Sequence, residues 1–133
     1  MSGSFLRPLL RGPSSGLAIR NTRNDRQLAD ALIAAFDSKN RRTGLLHHES
    51  FADGSAMLIA PTNAVHTFFM RFPIDIAFVS REGRVVKTYR MLPAWRIAAA
   101  FGAYAAIELP AGTLARCETV KGDTLVIIPT QQV

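Results

Sequence analysis

The chain contains 133 residues, of which 48% are hydrophobic and 20% are charged. This length and composition are typical of one globular domain with its own core, and they exclude a disordered chain. No apolar run is long enough to span a bilayer, so we expect no membrane-spanning segment. The single cysteine, Cys117, excludes an internal disulfide bond, and Arg7 and Pro8 interrupt the first apolar stretch, unlike a signal peptide. We therefore expect a cytoplasmic protein.

The net charge of +6 is concentrated near the N-terminus. Residues 1–42 contain eight basic and three acidic side chains, whereas residues 43–133 contain eight basic and seven acidic ones. Residues 1–23 are also rich in glycine, proline and serine, a composition with little to bury. We predict a basic, flexible arm over residues 1–23 and a single folded domain over residues 24–133. The arm is either a solvated tail or a weak, nonspecific nucleic-acid-binding element, which makes a nucleic-acid-associated protein one functional alternative.

The residue pattern predicts one main helix followed by a series of short strands. After a short strand at 16–20, Asn24 and Gln27 form a capping-box pattern, and apolar residues at helical spacing predict an amphipathic helix over 25–38. Apolar runs predict strands over 56–60, 65–70, 74–80, 84–90, 104–109 and 124–128. Gly83 predicts a hairpin turn, and residues 110–116 predict a short helical turn. The sequence therefore predicts a small α+β domain of five to seven short, mostly antiparallel strands.

Several separated motifs follow one another along the chain. They are Gly44-Leu45-Leu46, the stretch from His66 to Asp75, Gly83, Pro93 with Trp95-Arg96, the stretch from Glu108 to Gly112, and Lys121-Gly122-Asp123. With these motifs the chain resembles the family called domain of unknown function 192, a group of small uncharacterised bacterial and archaeal proteins. The resemblance implies a compact, partly closed antiparallel β-barrel with a helix packed beside it, and it implies no activity. The chain departs from many members in the short spacing from Met70 to Pro73, and from some in carrying Thr62 where they have a cysteine.

Asp75 is the unusual residue of the strand predicted over 74–80. Strand alternation places Ile74 and Ile76 on one face and Asp75 on the other. A carboxylate buried there needs backbone N–H donors or a cation. The residue is therefore either a structural carboxylate or a ligand-binding or catalytic acid. The candidate cations are Arg71, Arg90 and Arg96.

His66 is the candidate proton-transfer group. Paired with Asp75, its imidazole would be held in one tautomer and made more basic, as in a hydrolase or an isomerase. A structural histidine is the alternative, and no nucleophile of a serine or cysteine hydrolase accompanies the pair, so the sequence leaves open whether the protein is an enzyme. The run His47-His48-Glu49 contains metal-ligand types, but adjacent side chains diverge. We therefore predict no metal site and no cofactor.

The segment after Pro93 combines an aromatic ring, Trp95, with a guanidinium group, Arg96. This pair suits stacking on a ring and binding of a carboxylate or phosphate, unless Trp95 covers the core and Arg96 caps a carbonyl or meets Glu108. The main hypothesis is a small-molecule-binding or accessory domain whose ligand is anionic or contains a ring. The pocket would be rimmed by His66, Asp75, Trp95 and Arg96; its full candidate set is His66, Met70, Arg71, Asp75, Arg90, Trp95 and Arg96. The sequence does not specify an oligomeric state.

Overall fold

The structure of the chain, a computed structural model, describes residues 5–43, 45 and 48–130. In this part of the chain it contains three short helices and ten strands, which confirms an α+β fold that is mostly sheet. The helices are α1 (Arg7–Arg11), α2 (Ser38–Thr43) and α3 (Thr113–Arg116). The strands are β1 (Leu17–Asn21), β2 (Gln27–Ala29), β3 (Ala31–Ala35), β4 (Ser55–Ile59), β5 (Ala64–His66), β6 (Ile74–Val79), β7 (Val85–Leu92), β8 (Ile97–Ala99), β9 (Ala105–Pro110) and β10 (Leu125–Pro129).

A five-stranded sheet with the order β3-β4-β9-β6-β7 forms the centre of the domain. β3 and β4 are parallel, and the other neighbouring strands are antiparallel. One face of the sheet, here called the α3 face, packs against Leu114 of α3 and against residues of α1 and β1. The opposite face, here called the ribbon face, packs against the two-stranded ribbon of β5 and β8. Because both faces are covered, every residue of β6 and β9 is buried.

The N-terminal segment, predicted to be a flexible arm, is packed onto the domain over its described part. Phe5, Leu6 and Leu9 are buried in the core of the α3 face. β1 pairs with both β10 and β2 to form a three-stranded sheet of order β10-β1-β2. Ala18 and Ile19 of β1 are buried as well, and the removal of these apolar side chains from water stabilises the attachment of the segment. The folded domain therefore begins well before residue 24.

The amphipathic helix predicted over residues 25–38 is wrong, because most of this segment forms β2 and β3. Asn24 makes a turn and not a helix cap: its side-chain oxygen accepts the N–H of Arg26, and its amide donates to the carbonyl oxygen of Cys117. β3 then pairs with β4, which places Leu32 on the α3 face and Ala35 on the ribbon face. Residues three apart share a face in a helix but lie on opposite faces of a strand.

The predicted strands are otherwise confirmed to within two residues, with one exception. Residues 67–70, predicted to continue a strand from residue 65, lie in a loop after β5. The hairpin turn and the short helical turn are confirmed; at Gly83, φ is 93° and a Cβ would collide with the carbonyl oxygen of Leu125. The described strands form three sheets whose orders do not close, so the barrel-like form is not confirmed. In the described part of the chain no helix is long and apolar enough to cross a membrane.

A buried carboxylate, Asp123, connects the turn after β1 to the turn before β10. Arg23 donates to both of its oxygens, from Nε at 2.7 Å and from Nη2 at 3.1 Å, and Asn21 and the N–H of Val120 also donate to it. The hydrogen bonds from Arg23, followed by those from Val120 and Asn21, lower the pKa of Asp123 from 3.8 to about 2 despite its burial. The ionised carboxylate therefore stabilises the fold above pH 3.8, and this contribution is lost as the pH falls through 2.

Replacing Asp123 by Asn should lower the free energy of unfolding at pH 7 by about 2 kcal/mol, because the lowered pKa is a stabilisation of the folded state. The difference from the wild type should shrink as the pH falls from about 4 to about 2, where the wild-type carboxylate becomes protonated. Urea unfolding followed by circular dichroism at several pH values measures both effects. Asp25→Asn is the matched control, since its side chain is 85% exposed and should contribute little. A difference that does not change with pH would contradict this account.

Candidate functional site

Asp75 is a buried carboxylate whose two oxygens bind backbone groups. Its side chain is fully buried on the α3 face, with Oδ1 accepting the N–H of Met91 at 2.8 Å and Oδ2 accepting the N–H of Leu114 at 2.8 Å. Met91 lies at an irregularity in the pairing of β6 with β7, and Leu114 lies in the first turn of α3. One carboxylate therefore fixes two backbone segments by binding an N–H group of each that has no partner in the regular pairing. A negative charge is also favourable at the start of a helix. This is the structural role that the sequence left open for Asp75.

The acid–base pair of His66 and Asp75 is not formed. His66 ends β5 and is exposed, its Nδ1 accepts the N–H of Phe68 at 3.2 Å, and its ring stacks on the ring of Phe68. Both oxygens of Asp75 are occupied by backbone N–H groups of other segments. The hydrolase or isomerase hypothesis in its predicted form requires a hydrogen bond between these two side chains, and the structure does not contain it.

Thr67 is the residue that holds the loop after β5 against the loop before β8. It is fully buried, its hydroxyl donates to the carbonyl oxygen of Pro93 at 2.7 Å, and it accepts the N–H of Arg96 at 3.0 Å. Its backbone N–H donates to Arg96, and its carbonyl accepts the N–H groups of Trp95 and Met70. One threonine therefore satisfies polar groups of both loops where water is excluded, which makes their relative position well determined.

These two loops present a cluster of rings to solvent, here called the aromatic surface (His66, Phe68, Phe69 and Trp95). The ring centroids of His66 and Phe68 are 4.7 Å apart, those of Phe68 and Trp95 are 5.8 Å apart, and both pairs are stacked. Phe69 lies against Trp95 at 4.5 Å with its ring tilted by 59°. Phe69 is 65% exposed and Trp95 is 57% exposed, so most of the area of these two side chains faces water. A continuous stack of rings ending at the surface is a platform on which a further ring can pack.

The backbone beneath the aromatic surface is strained. Phe69 has φ of 66° and Trp95 has φ of 67°, a left-handed conformation that residues with large side chains rarely adopt. Such a conformation costs on the order of 1 kcal/mol or more per residue and persists only where surrounding contacts impose it. Next to these residues, the N–H groups of Trp95 and Met70 both donate to the carbonyl oxygen of Thr67, and the two large rings are exposed to solvent.

Of the remaining predicted site residues, one lies at the aromatic surface and the others lie elsewhere in the domain. Arg96 lies at the edge of the aromatic surface, with its guanidinium donating to the carbonyl oxygens of Ala94 and Trp95. Arg71 is exposed and paired with Glu49 at 3.4 Å. Arg90 donates to the carbonyl oxygen of Thr119, and Met70 is buried in the core of the ribbon face. The structure thus brings together His66, Trp95 and Arg96, and it separates Asp75 from them.

Glu108 is a buried acid whose importance the sequence reasoning missed. It lies on the ribbon face in β9, between Met57 of β4 and Ile76 of β6. It is 3% exposed, and its Oε1 has no hydrogen-bond partner among the described residues. Burial raises the pKa of Glu108 to about 8, so the carboxyl group is protonated at pH 7. The available signal was an acidic residue within the apolar run from Tyr104 to Leu109, the same signal that identified Asp75.

Two other features of the described chain offer less chemistry as sites. A shallow depression of about 250 Å³ is lined by Pro61, Thr62, Asn63, Ala103 and Tyr104, and none of the predicted site residues lines it. Of the possible metal ligands at 47–49, His47 lies outside the described residues. In the ranges that the structure describes, no three His, Cys, Asp or Glu side chains converge on one point.

Replacing Thr67 by Val should lower the free energy of unfolding by about 2 kcal/mol, because the carbonyl of Pro93 and the N–H of Arg96 would lose a buried partner. The loops should also loosen, so the fluorescence anisotropy of Trp95, the single tryptophan, should fall. Chemical denaturation and anisotropy measure the two effects. Thr62→Val is the matched control, since the Thr62 hydroxyl makes only local bonds, donating to the carbonyl and accepting the N–H of Ala64. Equal effects of the two substitutions would contradict the role assigned to Thr67.

Comparison with known proteins agrees with the fold. A crystal structure from Sinorhizobium meliloti, of a protein provisionally described as a transcription regulator, matches with a TM-score of 0.70 at 20% identity, covering 82% of this chain and 89% of that chain. A protein of unknown function from Novosphingobium aromaticivorans matches with a TM-score of 0.71 at 21% identity, covering 82% of this chain and 81% of that chain. No curated protein matches the chain. The family model of domain of unknown function 192, described as an uncharacterized ACR, matches residues 19–127, and the chain therefore belongs to this family.

Proposed function

We propose that this protein is a non-enzymatic binding domain whose ligand is a small anionic molecule containing a planar ring. The ring stacks on the aromatic surface, and the anionic group interacts with Arg96. The observation that carries this proposal is the exposure of Phe69 and Trp95, which are 65% and 57% accessible although their backbone is held in a strained conformation. Strain and exposed rings at the same place are typical of a binding surface and not of a surface that serves stability.

Aromatic side chains supply most of the energy of binding to such a surface. Stacked or tilted ring pairs contribute about 0.5–1.5 kcal/mol beyond the burial of their area. Because Phe68 stacks on Trp95 and His66 stacks on Phe68, a ligand ring would meet a preorganised surface and would lose little energy in ordering it. The affinity expected for a small ligand is therefore set by ring stacking, with charge as a second contribution.

The charge preference follows from the groups around the rings. Arg96 is exposed, and its guanidinium makes only two bonds to carbonyl oxygens, at 3.3 Å and 3.5 Å. A carboxylate or phosphate of a ligand can replace these bonds by shorter, charge-assisted ones, which Arg makes in bidentate form. Asp75, the negative residue predicted for the pocket rim, lies buried on the α3 face and does not oppose an anion.

The nucleic-acid alternative receives less support. Three arginines of the N-terminal basic region are paired with carboxylates in the structure: Arg20 with Asp25, Arg23 with Asp123 and Arg26 with Glu118. Paired cations release fewer counterions on binding to a polyanion. The description of the Sinorhizobium protein concerns that protein, and at 20% identity the likeness supports a shared fold alone.

Phenyl phosphate should bind the protein and quench the fluorescence of Trp95, whereas cyclohexyl phosphate, which has the charge but no aromatic ring, should bind at least about tenfold more weakly. Binding should weaken with salt and in Arg96→Ala, because part of it is electrostatic. Ligand-observed nuclear magnetic resonance measures the affinity of variants that lack the tryptophan.

Trp95→Ala and Phe69→Ala should each weaken the binding of phenyl phosphate by about tenfold, the loss of roughly 1.4 kcal/mol of stacking. Phe101→Ala is the matched control, because Phe101 is a fully exposed ring outside the aromatic surface and its removal should change nothing. Equal binding of the two phosphates, or equal binding by Trp95→Ala and Phe101→Ala, would refute the proposed site.

A further inference from the structure

The burial of Glu108 has a free-energy cost that no hydrogen bond among the described residues offsets. A buried polar group without a partner destabilises the fold, and an apolar side chain of similar size at this position would avoid this cost. Asp75, on the neighbouring strand, shows that this protein satisfies a buried carboxylate where it serves the structure. Glu108 receives no such bonds among the described residues. A buried, perturbed and unpartnered acid is a candidate functional group.

The surroundings of Glu108 are apolar on the sheet itself. Its neighbours across the strands are Met57 and Ile76, and Ile74 and Ala106 belong to the same cluster of the ribbon face. Desolvation alone raises the pKa of Glu108, so no neighbouring charge contributes to the shift. The sheet therefore offers a ligand one carboxyl group in an otherwise hydrocarbon and thioether environment.

Loop residues and not regular elements close part of the ribbon face, and we call them the roof (Glu49, Phe51, Met70, Arg71 and Phe72). Met70 is part of the ribbon-face core, and Phe51 and Phe72 pack against this core. The roof consists of the loop before β4 and the loop before β6. These loops contact each other through the exposed pair of Arg71 and Glu49 at 3.4 Å and through the rings of Phe51 and Phe72, whose centroids are 6.4 Å apart. Such contacts between loops are weaker than the pairing within a strand or helix, so the roof opens more readily than the sheet beneath it.

Few ionisable groups accompany Glu108 on this side of the molecule. β4 and β6 present none on the ribbon face, since their residues there are Met57, Ile59, Ile74, Ile76 and Phe78. The ionisable side chains on the other elements that cover this face are Tyr89 and Lys87 of β7, and His48, Glu49 and Arg71 in the loops.

We propose that Glu108 is the anchor of an internal ligand site between the ribbon face and the roof, and that this site binds a small apolar amine. The amine donates a hydrogen bond to Oε1, which has no partner among the described residues, and its apolar body replaces contacts with Met57, Ile76 and Met70. A ligand whose single polar group is a donor matches a site whose single polar group is an acceptor when ionised. This site lies apart from the aromatic surface and does not depend on the function proposed for it.

Binding of the amine at pH 7 releases a proton. At pH 7 the free amine is an ammonium ion and the carboxyl of Glu108 is protonated, because burial raises its pKa to about 8. Binding forms an ammonium–carboxylate pair, and the proton of Glu108 is released to solvent. Affinity should therefore rise by up to tenfold for each pH unit as the pH approaches 8, and it should level off above 8.

Cyclohexylamine is the probe for this site, because it has no aromatic ring to stack on Trp95, and cyclohexanol is its uncharged control. Titration calorimetry with the full chain, in two buffers of different ionisation enthalpy, should show saturable binding of cyclohexylamine with release of about one proton at pH 7 and at least tenfold weaker binding of cyclohexanol. Glu108→Gln should abolish the binding, and Glu82→Gln, a change at an exposed turn, should leave it intact.

The wild-type protein tests the inference even if Glu108→Gln does not fold, since the pH dependence and the proton release are measured without any substitution. Absence of saturable binding to the wild type, unchanged binding by Glu108→Gln, or affinity that falls between pH 6 and 8 would each overturn the proposal. Trp95→Ala should still bind cyclohexylamine, so failure of this site and failure of the aromatic surface are separate results.

Discussion

The buried hydroxyl and backbone of Thr67 are the contacts on which the candidate surface depends. Six hydrogen bonds join this residue to Pro93, Trp95, Arg96 and Met70. These bonds lie next to Phe69 and Trp95, whose left-handed conformation persists only where surrounding contacts impose it. The polar contacts of Thr67 and the exposed rings therefore form one local structure.

The two buried acids of the central sheet show how the same residue class acquires different roles from its environment. Asp75 of β6 faces α3 and receives two backbone N–H donors, whereas Glu108 of β9 faces the opposite side and receives none among the described residues. Ile76, the residue after Asp75, is the cross-strand partner of Glu108, so a single step along the strand separates the two environments. The first acid positions the chain, and the second remains available for a ligand.

Much of the strand pattern could be predicted from the sequence, because apolar runs bounded by turn residues depend on local chemistry. The strands β6, β7 and β9 and the turn at Gly83 were found this way. The prediction of a helix over 25–38 was wrong because apolar residues spaced three or four apart also fit two short strands. The side-chain bonds of Asn24 and the pairing of β3 with β4 favour the strands. Such long-range pairing is not encoded in a local pattern.

The candidate site was predicted only in part, for a related reason. The sequence identified the residues around His66 and Trp95, because polar and aromatic groups interrupt an apolar pattern there. It did not place Asp75 and Glu108 on opposite faces, since that assignment needs the register between β6 and β9. It also did not predict the left-handed conformation of Phe69 and Trp95, because non-glycine residues adopt it only when contacts from elsewhere impose it.

Quenching of the single tryptophan tests the central claim most directly, namely that Trp95 is an exposed ring on a surface that favours anions. The account predicts an emission maximum close to that of tryptophan in water. Because the guanidinium of Arg96 binds the backbone carbonyl of Trp95, the ratio of iodide quenching to caesium quenching should also be higher than for free N-acetyltryptophanamide. Blue-shifted emission that neither ion quenches would show a buried ring and contradict the account. A ratio lower than that of the free amide would contradict its preference for anions.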